Sequence, residues 1–391
     1  MHQAPKPGPD PEKPVHIVFV GAGAVGCFYA SRLHFPSKNI HTSLIARSNY
    51  KALSESGGVQ LQTHTFGDYT FTPHAVYPSI AAASAPGQPK WDYVIVTTKA
   101  LPDRSNDPEL IAPLITSPNT CIVLIQNGVG VEHPYRERFP SNPILSAVTV
   151  ISAEQIRPGV IRQNRWTRIH LGGYVDSASF SVPGSLQSKS PAPGGTGINE
   201  DEIKRLDHMS AVHANQLGDW WTRLGGIRDV EISSEIDLQM IRWHKLCINA
   251  AFNPSAVLSG GLGNAEMVTD SDPTSQTKEL RIHLQGVMDE IWGAVPQILG
   301  RGFPEDGSLA APEKILRSSE RNVGSKPSML LDWEGGRPME LEVILGNPVR
   351  IARQRGVELP RIQTMYALLK SAQRVREEGR KQEKEKEGAK L

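Results

Sequence analysis

The feature that most constrains this chain is a glycine-rich turn near its amino terminus, between an apolar run and a helix-forming segment. The run His16 to Val20 is β-branched and aromatic, as a buried parallel strand is. The segment Cys27 to Leu33 contains neither glycine nor proline, which favours a helix. The turn between them reads Gly21-Ala22-Gly23-Ala24-Val25-Gly26. The order strand, glycine turn and helix predicts a dinucleotide site, with the pyrophosphate at the helix amino terminus.

Each glycine of the turn has a separate mechanical role. Gly21 allows the tight turn, Gly23 lets the backbone approach the pyrophosphate, and Gly26 lets the helix pack closely on the strand. Three glycines at this spacing are a weak signal alone, and the alternative is a purely structural turn. The flanking strand and helix favour the dinucleotide site.

The end of the second predicted strand indicates which dinucleotide is bound. In NAD enzymes an acid about twenty residues beyond the glycines binds the ribose 2′-hydroxyl. No Asp or Glu occurs from Arg32 to Lys51, and Arg47 follows the apolar strand directly. Arg47 and Lys51 offer positive charge to a 2′-phosphate, although both can also be ordinary surface cations. We therefore predict NADP(H) rather than NAD(H).

Composition is that of an ordinary soluble enzyme. The 391 residues suffice for two domains, and a formal charge of +1 gives no indication of nucleic-acid binding. No apolar run is long enough to span a membrane, and residues 1–14 lack the apolar core of a signal peptide. We expect a cytoplasmic protein with no membrane partner, either a monomer or a homodimer.

The three cysteines give no sign of a disulfide framework or a metal site. Cys27, Cys121 and Cys247 are far apart and lie in predicted strands or helices. We expect all three to be small core residues, and we predict no metal.

The predicted fold is a Rossmann-type α/β amino-terminal domain followed by an all-α carboxyl-terminal domain. Residues 1–14 form a Pro-rich tail, disordered or extended, residues 15–235 the NADP-binding domain, 236–373 the helical domain, and 374–391 a charged tail that is a solvated helix end or disordered. Asp176 to Gly197, rich in Ser, Pro and Gly, reads as a loop insertion.

Several segments of these domains have clear periodicity. Strand patterns cover Val59–Thr63 and Tyr69–Phe71 as a hairpin, then Tyr93–Thr97, Ile122–Ile125, Ile144–Ile151 and Val230–Ile232. Helical spacing covers Asp201–Leu224, Ile236–Ile248, Leu280–Ile298 and Met339–Arg355.

A polar stripe marks the first helix of the second domain. Lys245, Asn249 and Asn253 stand at i, i+4 and i+8, so they share one face, while the residues between them are mostly apolar. Such a stripe meets water, a partner or a ligand. An exposed stripe on a half-buried helix and a substrate-binding face both fit. Pro254 is expected to stop or kink the helix just beyond the stripe.

A second polar pair lies downstream at Ser328 and Glu340. Ser328 can start a helix or hold a carboxylate through its hydroxyl. Glu340 opens a helix, where the dipole favours a carboxylate even without any function. Spacing alone does not choose between these roles.

Five motifs together resemble the ketopantoate reductase family over most of residues 15–370. They are GAGAVG from Gly21, TTKA from Thr97, QNGVG from Gln126, WHKLCINAAFNP from Trp243 and PSMLLDWEGGRPMELEVILG from Pro327. The resemblance implies a Rossmann domain joined to a helical domain, with NADPH and substrate in the cleft between them. It implies reduction of 2-dehydropantoate to (R)-pantoate on the route to pantothenate.

The resemblance also implies roles for individual residues. Lys245 matches the family's catalytic lysine and Glu340 its acidic partner. Ser325 departs from the Asn that some members carry three residues before the motif serine, which leaves the substrate open. The matched binding positions are Asn249, Asn253, Ser328 and, with a spacing one residue longer, Asn264 for substrate, and Lys99 and Asn127 near the nicotinamide.

The chemistry of carbonyl reduction fits these assignments. Hydride transfer to a ketone leaves an alkoxide, which needs a proton from a positioned acid. The Lys245 ammonium can polarise the carbonyl and then donate that proton, while Glu340 keeps the lysine protonated. Alternatives are a 3-hydroxy-acid or glycerol-phosphate dehydrogenase of the same architecture, a reductase of another 2-oxo acid or secondary-metabolite ketone, and an NADP(H)-sensing binding protein.

The final tripeptide, Ala389-Lys390-Leu391, resembles the Ser-Lys-Leu address of peroxisomal proteins. The peroxisomal matrix is therefore the alternative to a cytoplasmic location.

Overall fold

A computed structural model describes residues 3–175, 199–269 and 276–388 of the chain. The predicted insertion Asp176 to Gly197 and the tripeptide Ala389-Lys390-Leu391 lie outside the described residues. The chain divides into two compact units. Unit 1 contains residues up to Ala100, Ser105–Asn127 and Val131–Gln239, and unit 2 contains Leu101–Arg104, Gly128–Gly130 and the chain from Met240 onward.

Unit 1 is built on a sheet of ten strands among the described residues, in the order β4-β3-β9-β8-β7-β6-β1-β2-β5, with β10 paired to β9. The pairs of the run β8-β7-β6-β1-β2-β5 are all parallel, and β3–β4 and β8–β9 are antiparallel. The strands are β1 Val15–Val20, β2 Ile40–Ile45, β3 Val59–Thr63, β4 Gly67–Phe71, β5 Val76–Tyr77, β6 Tyr93–Val96, β7 Cys121–Leu124, β8 Ile144–Arg157, β9 Val160–Gly173 and β10 Val230–Ile232.

The helices of unit 1 are mostly short. A π-helical turn, Trp220–Leu224, extends the longest of them. The α-helices of unit 1 are α1 Ala24–Ser31, α2 Tyr50–Glu55, α3 Ile80–Ala83, α4 Asp107–Ile111, α5 His133–Arg138 and α6 Glu200–Asp219.

Strand order in unit 1 reverses at β1, because β2 lies on one side of it and β6 on the other. Such a switch point leaves a crevice at the carboxyl ends of the strands, where open α/β sheets bind ligands. Alternate residues of β1 face opposite sides: Ile17 and Phe19 join one apolar cluster, and Val18 and Val20 join the other. The sheet is therefore buried on both faces, as a parallel sheet requires.

The described part of unit 2 contains helices and no strand. The predicted fold class, an α/β Rossmann-type domain followed by a helical one, is thus confirmed. A second π-helical turn, Glu342–Gly346, runs directly into α11. The helices are α7 Glu235–Leu258, whose first turn still belongs to unit 1, α8 Gln276–Leu299, α9 Pro312–Ser319, α10 Ser328–Glu334, α11 Asn347–Gln354 and α12 Pro360–Gly388.

Two of these elements extend further than the sequence predicts. The predicted strand Ile144–Ile151 continues to Arg157 and turns into β9, which the sequence analysis missed. Helix α7 does not stop at Pro254 but continues to Leu258. The hairpin of β3 and β4 is confirmed, with Val59 opposite Phe71 and Thr63 opposite Gly67.

Both terminal segments are held by specific contacts. The Pro-rich amino-terminal segment, for which composition predicts disorder or an extended chain, pairs Gln3 with Ile232 and places Asp10 2.9 Å from Arg223. In the charged tail, helix α12 continues to Gly388, and the Arg376 guanidinium stacks 3.8 Å above the Trp333 ring. Polar and cation–π contacts thus order segments that have little apolar surface.

The cysteines are free and buried, as predicted, and burial raises the pKa of the Cys27 thiol to about 12. No helix in the described ranges has both the length and the apolar character needed to span a membrane.

Candidate active site

The glycine turn connects β1 to α1 at the switch point of the sheet in unit 1. Gly21 has a φ of +113°, a backbone conformation that favours glycine over residues with a side chain. A Cβ there would lie 2.8 Å from the amide nitrogen of Thr98. At Gly26 a Cβ would lie 2.2 Å from the carbonyl oxygen of Gly21. At Gly23 it would meet no protein atom within 4 Å. Two glycines are therefore needed by the fold, while Gly23 leaves an open cradle.

Two polar residues that the sequence analysis missed brace this turn. The Thr97 hydroxyl donates to the carbonyl of Gly21 at 2.6 Å. The buried Asn49 amide donates to the carbonyl of Ala22 at 2.8 Å and to Oε1 of Gln155 at 2.7 Å. Asn49 follows Arg47 by two residues, so the same side chain ties the glycine turn to the loop after β2. In the sequence, Thr97 could be noticed as the first residue of the TTKA motif, but its bond to the glycine turn could not.

The predicted cofactor cations lie in the segments that follow β2 and β6. Arg47 is exposed in the loop after β2, and Lys51 is exposed on α2, 3.8 Å from Glu55. Lys99 is exposed after β6, and Asn127 is half-buried after β7. Because β7, β6, β1 and β2 are parallel neighbours, the residues after their carboxyl ends share one edge with the glycine turn.

An acid that the sequence analysis did not select also lies at this edge. Burial raises the pKa of the Asp107 carboxyl, against hydrogen bonds from Ser105 and Gln126 and the positive charge of Arg47. The Ser105 hydroxyl donates at 2.8 Å and the Gln126 amide at 3.3 Å. The charge of Arg47 thus acts on a partly buried acid beside the QNGVG motif.

In unit 2, helix α7 carries the predicted polar stripe along its middle. Lys245 and Asn249 are half-buried and Asn253 is buried, between apolar residues that form the core. Burial lowers the pKa of the Lys245 ammonium to about 8; the positive charge of Arg242 lowers it further and the negative charge of Glu340 raises it. A lysine with such a pKa exchanges its proton near neutral pH.

Glu340 is buried just before the helical turn that leads into α11, and its charge acts on Lys245. Ser328 is exposed as the first residue of α10. Asn264 is half-buried and donates from its side chain to the Ser325 hydroxyl at 3.2 Å. The negative charge of Glu340 thus acts on the Lys245 ammonium, and Asn264 pairs with Ser325, the departing residue of the motif.

Two family models match the chain. The model described as Ketopantoate reductase PanE/ApbA matches residues 17–176, and the one described as Ketopantoate reductase PanE/ApbA C terminal matches residues 237–373. Together they cover more than half of the 391 residues. The chain belongs to the ketopantoate reductase family. This is a family of oxidoreductases that use a nicotinamide cofactor.

Similar proteins match along nearly the whole chain. An uncharacterized protein of Saccharomyces cerevisiae is 27% identical over 372 residues, covering 90% of this chain and 92% of the relative. A 2-dehydropantoate 2-reductase of Nostoc sp. is 25% identical over 351 residues, covering 90% of this chain and 93% of that enzyme. The crystal structure of 2-dehydropantoate 2-reductase from Methylococcus capsulatus has a TM-score of 0.70 at 29% identity, covering 93% of this chain and 98% of that one.

Proposed function

We propose that this ketopantoate reductase family member reduces 2-dehydropantoate to (R)-pantoate with NADPH, in pantothenate and coenzyme A biosynthesis. The observation that carries the proposal is the coupling of Lys245 to Glu340 beside the asparagines of α7. The family's reaction needs one acid and a set of polar groups for a small hydroxylated oxo acid. The 2-dehydropantoate 2-reductases among the relatives support this choice of substrate.

Lys245 is the proposed general acid. With a pKa of about 8, Lys245 is protonated in roughly 90% of the molecules at pH 7. Its proton is also easier to lose than that of an ordinary lysine, so it suits an alkoxide that forms in the active site. The negative charge of Glu340 keeps the ammonium from losing its proton in the resting enzyme.

The reducing equivalent is a hydride supplied by the bound nicotinamide dinucleotide. The glycine turn, with Gly23 facing open space and α1 beginning at Ala24, is the proposed seat of its pyrophosphate. Ala22 and Val25 complete the turn, and Lys99 and Asn127 are proposed to lie near the nicotinamide end. Asn249, Asn253, Ser328 and Asn264 are proposed to hold the substrate.

NADPH is proposed over NADH because Arg47, in the loop after β2, and Lys51, on α2, are exposed, and no Asp or Glu occurs in the sequence from Arg32 to Lys51. We expect Arg47→Glu to lower kcat/KM for NADPH at least tenfold while leaving kcat/KM for NADH within about twofold, which corresponds to loss of one charge-assisted phosphate contact. Steady-state kinetics with both cofactors measures this. An unchanged preference for NADPH in the variant refutes the assignment.

The test of the function is NADPH oxidation by the purified full-length protein with 2-dehydropantoate and a panel of other 2-oxo acids. We expect 2-dehydropantoate to be reduced fastest, and Lys245→Ala to lose at least 100-fold in kcat with little change in KM. Lys314→Ala, an exposed lysine of the same unit, is the matched control and keeps wild-type turnover.

The same assay distinguishes the alternatives. Faster reduction of another 2-oxo acid or ketone identifies a related reductase, and binding of NADPH without reduction of any carbonyl compound identifies an NADP(H)-sensing protein. Near-normal turnover by Lys245→Ala excludes the proposed acid.

A further inference from the structure

The tripeptide Gly128–Gly130 directly follows Asn127 in the QNGVG motif, yet it belongs to unit 2. Arg242 of α7 is buried, with 3% of its surface exposed, and its Nη1 donates to the carbonyl oxygen of Gly128 at 3.0 Å. A guanidinium rarely lies this deep unless its N–H groups have acceptors. This bond fixes the chain one residue after the amide that the family resemblance assigns to the nicotinamide end.

The other side of the tripeptide is held by the π-helical turn and α11. The amide of Val129 donates to the carbonyl oxygen of Val343 at 3.0 Å. The buried Asn347 side chain donates to the carbonyl oxygen of Val129 at 2.8 Å. Val129 therefore has both of its backbone groups paired with unit 2.

The fit at Gly128 leaves no room for a side chain. Its φ is +85°, and a Cβ there would lie 2.4 Å from the carbonyl oxygen of Val343. Only glycine occupies this position without displacing the π-helical turn. The three hydrogen bonds thus act on a segment that is already closely packed.

Two of the three residues that hold the tripeptide, Arg242 and Val343, are each about one helical turn from a proposed reactive residue. Arg242 precedes Lys245 by three positions on the same helix, so their side chains are neighbours on one face. Val343 follows Glu340 by three positions. Arg242 and Glu340 are the charged groups that act on Lys245: the first lowers its pKa together with burial, and the second raises it.

We propose that Arg242 is a positioning residue for the reduction, which anchors the Gly128 carbonyl and, through its charge, makes Lys245 a readier proton donor. Asn347 shares the anchoring role but contributes no charge. The proposal rests on the proposed function for its catalytic part, whereas the anchoring part concerns the fold of unit 2 alone.

The experiment compares Arg242→Met, Arg242→Lys and Asn347→Ala with the wild type in two measurements. Hydrogen–deuterium exchange of the peptide that contains Gly128–Gly130 reads the anchoring without any turnover. We expect exchange there to rise at least tenfold in Arg242→Met and in Asn347→Ala, with peptides of β1 and β6 unchanged. Unchanged exchange at Gly128–Gly130 in both variants overturns the proposal.

The second measurement is the pH profile of kcat for NADPH-dependent reduction. Removing a neighbouring positive charge raises the pKa of Lys245, so the basic limb of Arg242→Met moves up by about one pH unit. Arg242→Lys keeps the positive charge, so the basic limb of its profile stays in place. The basic limb of Asn347→Ala also stays in place, although its kcat falls. A limb of Arg242→Met that coincides with the wild type overturns the proposal. If the wild type reduces no 2-oxo acid, the proposed function fails, and the exchange measurement still decides the anchoring.

Discussion

Gly23 and Gly26 belong to the same turn, yet substitution by alanine should affect a different property at each position. At Gly26 the new Cβ would lie 2.2 Å from the carbonyl oxygen of Gly21 and 2.5 Å from Oγ1 of Thr97. At Gly23 it would meet no protein atom within 4 Å. We expect Gly26→Ala to destabilise unit 1, and Gly23→Ala to leave its stability unchanged while it weakens dinucleotide binding.

The magnitude follows from the size of the overlap. Ordinary van der Waals contact begins near 3.4 Å, so at Gly26 the helix and the Gly21 carbonyl must separate by more than 1 Å. Overpacking of this kind costs typically about 1–3 kcal/mol, and the upper value applies because the obstructing atom is backbone. For a domain of about 200 residues, about 3 kcal/mol lowers the Tm by about 6–12 °C. A methyl group in place of the pyrophosphate costs at least about 1.4 kcal/mol of binding, or tenfold in Kd.

Thermal unfolding by circular dichroism without ligand and fluorescence titration with NADPH measure the two effects separately. Gly293→Ala, on α8 and with no atom within 4 Å of the new Cβ, is the matched control for both assays. A Gly26→Ala protein that melts with the wild type refutes the steric reasoning. A Gly23→Ala protein with wild-type affinity for NADPH shows that the turn does not hold the pyrophosphate.

Two further predictions concern charged groups of unit 2. Burial and the charge of Arg242 lower the pKa of Lys245 to about 8, and a general acid must be protonated to act. The kcat for reduction should therefore fall as pH rises through about 8, and a kcat profile that stays flat to pH 10 contradicts this. Burial raises the pKa of Glu342, but hydrogen bonds from Lys370 and Tyr366 and the charge of Arg350 outweigh it, so the pKa is lowered overall. The stability this carboxylate contributes is therefore present above its unfolded pKa of about 4.3 and is lost as pH falls through the lower folded value. Glu342→Gln should cost about 3 kcal/mol in urea unfolding at pH 7 and much less near pH 3, and an equal cost at both pH values rules out the linkage.

The parts of the fold that the sequence predicts well are those with a local signal. The strand, turn and helix from His16 to Leu33 show apolar periodicity and three glycines within a short stretch. The polar stripe of α7 is visible because one helix carries all three residues. Strand β9 was missed because Arg, Asn and Trp interrupt its alternation, although Pro158-Gly159 marks the turn before it. Antiparallel pairing with β8 forms this strand although its own sequence has no regular alternation.

Pro254 shows how packing overrides a local rule. The proline removes one backbone donor from α7 and normally kinks or ends a helix. Here Ala250 and Ala256, on either side of it, are fully buried, and the helix continues to Leu258. Burial of the flanking turns compensates for the lost hydrogen bond, and the sequence alone does not show how deeply they are buried.

The two π-helical turns depend even more on partners that are distant in sequence. In an α-helix the amide of Asn347 would donate to the carbonyl of Val343, but here it donates to that of Glu342. The carbonyl of Val343 then accepts a hydrogen bond from the amide of Val129 at 3.0 Å. In unit 1, the turn Trp220–Leu224 likewise lies where the Trp221 indole donates to the carbonyl of Tyr29 at 3.1 Å. A helix that widens by one residue in this way gives up regular bonding to gain a tertiary contact. Because that contact fixes the backbone beside Glu340, the position of the proposed acidic partner depends on a residue more than two hundred positions earlier in the chain.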